Sequence, residues 1–211
     1  MTPRTALERG LEQMALALPT AAREQLLRYL ALLDKWNRVY NLTAIRDPLG
    51  MVSHHLLDSL AVLPYLPLPA AARVADAGSG PGLPGIPLAL AKPQWHIALI
   101  EANHKKAAFL RQAKIELELA NVEVQEARVE SWHPAEGFAL VISRAFTRLT
   151  DFVATCRHLV APRGMLAAMK GKQPQAELAD LPAAVHCKAV IALAVPFLKA
   201  ERHLVLCELG K

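Results

Sequence analysis

Cysteine is scarce: the chain holds only Cys156, Cys187 and Cys207, with no C-x-x-C pair and no histidine at zinc-site spacing. That excludes a disulfide framework and a cysteine-based zinc module, and predicts a reduced, cytoplasmic protein with no bound metal. Long apolar runs are lacking too. The longest uncharged stretches, near 59–72 and 77–91, each contain three prolines and are too short or too broken to span a bilayer. Arg4 and Arg9 precede the apolar MALAL at 14–18, but Glu8 and Glu12 interrupt the segment, so no signal peptide is expected. Internal repeats and low-complexity tracts are absent. A composition 53% hydrophobic and 20% charged leaves an ordered globule, and 211 residues suffice to bury a sizeable core.

What is present falls into two parts. Up to about residue 66 the sequence reads as helices: Leu26, Leu30, Leu33 and Trp36 recur at helical spacing, and Asp47 with Pro48 marks a further helix start. The proline-rich PYLPLPAAA at 64–72 acts as a linker. Short apolar runs then follow at 74–77, 96–101, 122–127, 138–143, 164–170, 189–195 and 203–209. Helical stretches separate them at 85–92, 103–119 (Asn103 as cap), 147–161 and 174–180. Apolar strands alternating with helices predict an α/β fold, a mostly parallel seven-stranded sheet covered on both faces, with an antiparallel pair at its edge. The expected division is a helical extension over 1–70 and a ligand-binding domain over 71–211. Net charge is +5, with 17 Lys and Arg against 13 Asp and Glu past residue 70, which mildly favours an anionic partner such as nucleic acid.

The stretch RVADAGSGPGLPGIPLALA (73–91) joins the first strand to the first helix of this second part and places a ligand at the carboxyl end of the sheet. Two glycine patterns overlap in it. Gly78, Gly80 and Gly82 make G-x-G-x-G, and Gly80, Gly82 and Gly85 make the dinucleotide spacing G-x-G-x-x-G. No Lys and Ser or Thr follow Gly85, which excludes a nucleotide P-loop. Pro81, Pro84 and Pro87 remove three backbone donors that a pyrophosphate would use. S-adenosylmethionine carries no phosphate, and Asp76 just ahead of the loop supplies an acid for its cationic end. Glu101, closing the second strand, can accept both ribose hydroxyls of either cofactor, so it indicates a nucleoside without choosing between them. A nicotinamide-dependent oxidoreductase and a non-catalytic RNA-binding module therefore remain as alternatives.

The fourth strand runs into Ile142-Ser143-Arg144-Ala145-Phe146, with neither the Asp/Asn-Pro-Pro-aromatic group suited to exocyclic amines nor the cysteine suited to a pyrimidine carbon. A basic and aromatic pair fits a target that already offers a lone pair, such as guanine N7, where orientation and desolvation matter more than a general base. Phe146 is placed to stack on an extruded base or, equally, to start the next helix as a core aromatic. Arg144 is placed to contact cofactor or the guanine edge.

The segments KWNRVYNLTAIRDP (35–48), HHLLDSL (54–60), DAGSGPGLPGIPLA (76–89), KKAAFLRQ (105–112), ARVESW (127–132), VISRAF (141–146), MKGK (169–172) and ERHLV (201–205) together resemble the bacterial 16S rRNA methyltransferase G family, also called glucose-inhibited division protein B. The resemblance implies a class I S-adenosylmethionine-dependent, Rossmann-like methyltransferase. It implies a helical extension and methylation of N7 of guanine 527 in the 530 loop of 16S rRNA, free or within the small ribosomal subunit, by a monomer. Cofactor contacts carried over are Gly78, Leu83, Val129, Glu130 and Arg144, beside Asp76, Gly80 and Glu101 from the loop reading. Glu101 stands where the family more often has Asp. Arg128, Lys170 and Arg202 match basic positions expected to meet RNA phosphates or the target base, and Arg144, Phe146 and Lys170 form the expected catalytic group.

His55 and Asp58, three apart with His54 alongside, are expected to share a local hydrogen bond and not a metal. The basic series on 104–114 reads as a solvated helix face. Trp36 and Tyr40 read as packing residues between extension and sheet.

Overall fold

The computed structural model describes residues 1–144, 146 and 148–210. Helix α1 (Pro3–Gln13) is capped by the Thr2 hydroxyl, and Pro3 sits in its first turn, where a missing N–H costs nothing. Helix α2 (Thr20–Tyr40) buries Leu26, Tyr29, Leu30 and Leu33 along one stripe and ends at Asn41 in the left-handed region. Asp47 caps α3 (Pro48–Met51) through Gly50 N–H, as its sequence predicts.

The helix then widens into a π-helical turn at Val52–Leu57 before α4 (Asp58–Leu60). In an α-helix the Asp58 N–H would bond to the His54 carbonyl. Here it goes to the Ser53 and His55 carbonyls, which leaves the His54 oxygen available to a side chain from elsewhere.

Seven strands follow, β1 (Arg73–Ala77), β2 (His96–Ile100), β3 (Val122–Gln125), β4 (Phe138–Ser143), β5 (Val160–Lys170), β6 (Val185–Ala192) and β7 (His203–Leu209). Their order is β3-β2-β1-β4-β5-β7-β6. β1 to β5 are mutually parallel, and β7 runs antiparallel to both β5 and β6. Helices α5 (Gly85–Ala91), α6 (His104–Glu116), α7 (Leu149–Cys156) and α8 (Gln175–Ala179) lie between the strands. The parallel sheet with a terminal antiparallel pair matches the alternation of the sequence, and the Asn103 cap on α6 is present.

Two strand starts lie four residues ahead of the apolar runs. β5 starts at Val160, because Phe138 pairs with Val160 across an irregular register before regular pairing resumes at Met165. β6 starts at Val185, since an edge strand needs little burial and its His186, Cys187 and Lys188 are exposed.

The apolar core is continuous from Leu7, Leu26 and Leu57 of the helical part to Ile97, Leu99 and Ile142 of the sheet. Trp36 packs edge-on against Phe109, 5.6 Å between centroids, so it joins the extension to α6 at the edge of the core. Tyr40 leans on Trp36 and stays largely exposed. Among the described residues no helix is long and apolar enough to cross a membrane.

Candidate functional site

The glycine loop is tied down from three sides. Gly78 and Ser79 both donate N–H to the Ile100 carbonyl at 3.0 Å, and Gly80 N–H donates to Glu101 Oε2 at 2.8 Å. Glu101 Oε1 accepts from Asn103 N–H at 2.7 Å, so one buried carboxylate links the loop, the end of β2 and the cap of α6. Asp76 Oδ2 accepts from Gly85 N–H at 2.8 Å beneath the loop. From the helical part, the fully buried Tyr29 donates its hydroxyl to the Pro81 carbonyl at 2.8 Å. Leu83 is buried and joined to Pro84 by a cis peptide bond.

These residues fit an S-adenosylmethionine-type nucleoside. Space beyond Gly80 is open to at least 4 Å, so backbone is presented to a ligand there. Asp76 Oδ1 is buried without a hydrogen-bond partner, and Glu101 stands at the end of the neighbouring strand.

A second feature lies one strand over, past the carboxyl ends of β4 and β5. A pocket of about 290 Å³ is lined by Asp58, Arg144, Met169, Lys170, Gly171 and Arg202. Asp58 is completely buried and serves two arginines: its Oδ2 accepts from Arg144 at 3.0 Å and its Oδ1 from Arg202 Nε at 2.9 Å. Arg144 also donates to the His54 carbonyl at 2.8 Å, the oxygen that the π-helical turn set aside. The Ser143 hydroxyl binds the Ala77 carbonyl at 2.6 Å, fixing the end of β4 beside the start of the glycine loop. Lys170 pairs with Glu177 of α8 at 2.9 Å, and Glu177 also accepts from Leu149 N–H at the start of α7. Three basic side chains, two of them on Asp58 and one on Glu177, thus line one pocket, a lining apt for phosphate or a guanine edge.

The structure therefore brings Arg144, Lys170 and Arg202 together, and it stacks Asp76, Gly78, Gly80, Leu83 and Glu101 into one loop assembly. Val129 is buried in a short turn after β3, with Arg128 and Glu130 exposed on either side and 3.7 Å apart. Arg128 does not line the pocket of the other basic residues. Phe146 is half-buried against Phe152 of α7, 5.4 Å between centroids, the packing expected of a core-side aromatic. Ala145 and Thr147, between which it sits, lie outside the described residues.

The expected His55 to Asp58 bond does not form. His55 Nε2 meets the Thr43 hydroxyl at 3.0 Å, because Asp58 is already held by two guanidinium groups. Among the described residues no group of three or more His, Cys, Asp or Glu could hold a metal. Tyr29 and Glu177 were not singled out by sequence reasoning, and Asp58 was read only as a partner of His55. The available signal for Asp58 was a lone acid inside an otherwise apolar helical run, a residue that is almost never buried unless paired.

Two buried groups near Arg144 titrate in opposite senses. Burial pushes Asp76 up from 3.8 to about 7, against the Gly85 hydrogen bond and the Arg144 charge that favour the carboxylate. Burial, with the Arg144 charge, pushes His55 down from 6.5 to about 4. Between about pH 4 and 7 the folded state holds more proton at Asp76 than the unfolded chain does, so this group's contribution falls as pH rises. His55 holds less proton folded than unfolded from about pH 4 to 6.5, so its contribution rises. The two largely offset each other in the wild type. Relative to wild type, Asp76→Asn is expected to gain stability with rising pH across this window and His55→Gln to lose it, each by at most about 1.4 kcal/mol per pH unit. Urea denaturation at several pH values reads both slopes; parallel curves for all three proteins would refute the assignment.

The family described as GidB, rRNA small subunit methyltransferase G, matches residues 22–205. The Ribosomal RNA small subunit methyltransferase G of Nitrosospira multiformis is 50% identical over 213 residues, covering 98% of this chain and 97% of the relative. That of Laribacter hongkongensis is 51% identical over 205 residues, covering 97% and 98%. Among solved structures, a SAM dependent methyltransferase from Aquifex aeolicus superposes with a TM-score of 0.58 at 17% identity, covering 76% of this chain and 93% of that one. At that identity the likeness speaks for the class I fold alone.

Proposed function

This chain belongs to the rRNA small subunit methyltransferase G family, and on that premise we propose that it methylates N7 of guanine 527, in the 530 loop of 16S rRNA, with S-adenosylmethionine. The observation that carries the reading is the placement of a three-cation pocket beside a phosphate-unfriendly glycine loop, joined by Ser143 and Arg144 at the end of β4. Residues 71–211 act as the cofactor-binding domain. Residues 1–70 are an extension that buttresses it through Tyr29 and Asp58.

When bound, S-adenosylmethionine supplies a sulfonium-activated methyl group. Gly78, Gly80 and Leu83 would offer it backbone and an apolar wall, Glu101 would accept from its ribose, Asp76 would face its cationic end, and Val129 and Glu130 would hold its base. Guanine N7 carries no proton at neutral pH, so no side chain has to remove one, and the residues act by binding, orienting and excluding water. Arg144 reads the guanine edge from a fixed position, since Asp58 and the His54 carbonyl hold its guanidinium. Lys170 and Arg202 neutralise the phosphates on either side of the target, and exposed Arg128 gives a further backbone contact. Phe146, half-buried against Phe152, keeps its exposed part for stacking on the target base.

With 16S rRNA or small subunits lacking the mark, the protein and S-adenosylmethionine are expected to create one new site of 7-methylguanosine-specific chemical cleavage, at guanine 527. Cleavage at another nucleotide, or none, would overturn the assignment of the target. By calorimetry S-adenosylhomocysteine is expected to bind and NAD not to.

A further inference from the structure

We propose that Cys187 and Cys207 form a reversible dithiol–disulfide site that staples the β6–β7 hairpin, the element whose loop end carries Arg202. The two residues are direct partners across antiparallel β6 and β7. Opposite residues in such a pair have Cα atoms about 4.5–5.5 Å apart and point to the same face, within the span that a disulfide bridges. Their Cβ atoms must approach by about an ångström further, and β6 is suited to that. It is an edge strand, and a bulge between Cys187 and Ala189 bends it at this point.

Reactivity is divided between the two thiols. Cys187 is exposed and meets small reagents directly, whereas Cys207 is buried. Burial, then the neighbouring Cys187, pushes the Cys207 thiol up to about 12, so Cys187 begins the exchange. Cys156 is buried elsewhere, at the C-terminal end of α7, and takes no part.

The oxidant is a low-molecular-weight disulfide. The Cys187 thiolate attacks one of its sulfurs, forming a mixed disulfide and releasing one small thiolate. The Cys207 thiolate then attacks the Cys187 sulfur, forming the Cys187–Cys207 bond and releasing the second. Two protein thiols lose two electrons and two protons, and the small disulfide is reduced to two thiols. Once Cys187 is in the mixed disulfide its own influence on Cys207 is gone, and adjacency gives the second step a high effective concentration.

The ring so closed contains the 193–202 segment, in which Leu193 N–H donates to the Arg202 carbonyl at 2.7 Å. Oxidation therefore restrains the hairpin end that presents Arg202 to Asp58.

Full-length protein equilibrated with oxidised and reduced glutathione, then digested without reduction, is expected to yield a Cys187–Cys207 linked peptide that dithiothreitol removes. Cys187→Ser, a change at an exposed position, is expected to abolish it while leaving Cys156 and Cys207 as free thiols. Amide hydrogen exchange over 193–202 is expected to slow several-fold on oxidation in the wild type only. A glutathione adduct on Cys187 as the sole product, a Cys187 to Cys187 dimer, or unchanged exchange despite the bond would each overturn the proposal.

Discussion

Asp58→Asn is expected to lower methyl transfer by about two orders of magnitude and to destabilise the protein by about 3 kcal/mol. Asp58 has no solvent access and carries two charge-assisted bonds, to Arg144 at 3.0 Å and Arg202 at 2.9 Å. An amide offers only one acceptor oxygen, so one guanidinium faces a donor in place of a carboxylate. Removing one partner of a buried ion pair costs about 3–5 kcal/mol, and the partial exposure of both arginines puts this case at the low end. The effect on rate has a separate origin. Arg144 and Arg202 reach the pocket from strand ends far apart in the chain, and Asp58 binds both and so sets their spacing, so misplacement by an ångström is enough for the loss. Asp34→Asn is the matched control: its pair with Arg38 is exposed, and a change below about 0.5 kcal/mol with full activity is expected. Steady-state methylation kinetics and thermal denaturation measure both quantities. Wild-type turnover in Asp58→Asn would remove the positioning role, whatever happened to stability.

The second large effect separates the roles of neighbouring glycines. Gly82 has φ +94°, and a Cβ there would lie 2.5 Å from Ile86 Cδ1 and 2.7 Å from Ile86 Cγ1. Gly82→Ala combines backbone strain with overpacking of a fully buried side chain, and a loss of about 2–4 kcal/mol is expected. Gly80 has φ +58°, which alanine tolerates at about 1 kcal/mol, and nothing lies within 4 Å of its Cβ position. Gly80→Ala is therefore expected to fold nearly normally yet to bind S-adenosylhomocysteine at least tenfold more weakly, because the methyl enters the space left for ligand. Gly171→Ala, with open space and no positive φ, is expected to be neutral in stability. Calorimetric titration alongside denaturant unfolding distinguishes the cases. Equal loss of affinity and stability at Gly80 would mean that the open space is not the cofactor's.

Much of the fold was legible because its signals are local. Each of the seven runs became a strand: β1, β2, β4 and β7 are buried along most of their length and so must be apolar throughout, and the alternation with helices dictated a mostly parallel sheet. Start signals at Asp47 and Asn103 appeared as caps because a side-chain acceptor three residues before an orphan N–H satisfies it in any context. Where burial was one-sided, as along Val185–Lys188, the same signal was too weak to mark the strand's start.

The loop and Glu101 belong to that legible part: a glycine series after a strand and an acid at the next strand's end are fixed by adjacency in a βαβ unit. Sequence alone thus determined the architecture, the glycine loop at the carboxyl end of β1 and, through its family motifs, which arginines and lysine to look for. Only the tertiary structure decided what those basic residues face. Asp58 meets Arg144 across 86 positions and Arg202 across 144, and Tyr29 meets Pro81 across 52. The Arg202 contact depends on β7 inserting antiparallel between β5 and β6, which puts its start beside the end of β5, and Arg144 is held further by the His54 carbonyl that the π-helical turn frees. Hydrophobic periodicity records which face of an element is buried but not which element it is buried against, so an acid in an apolar helix shows that a partner must exist without showing which one.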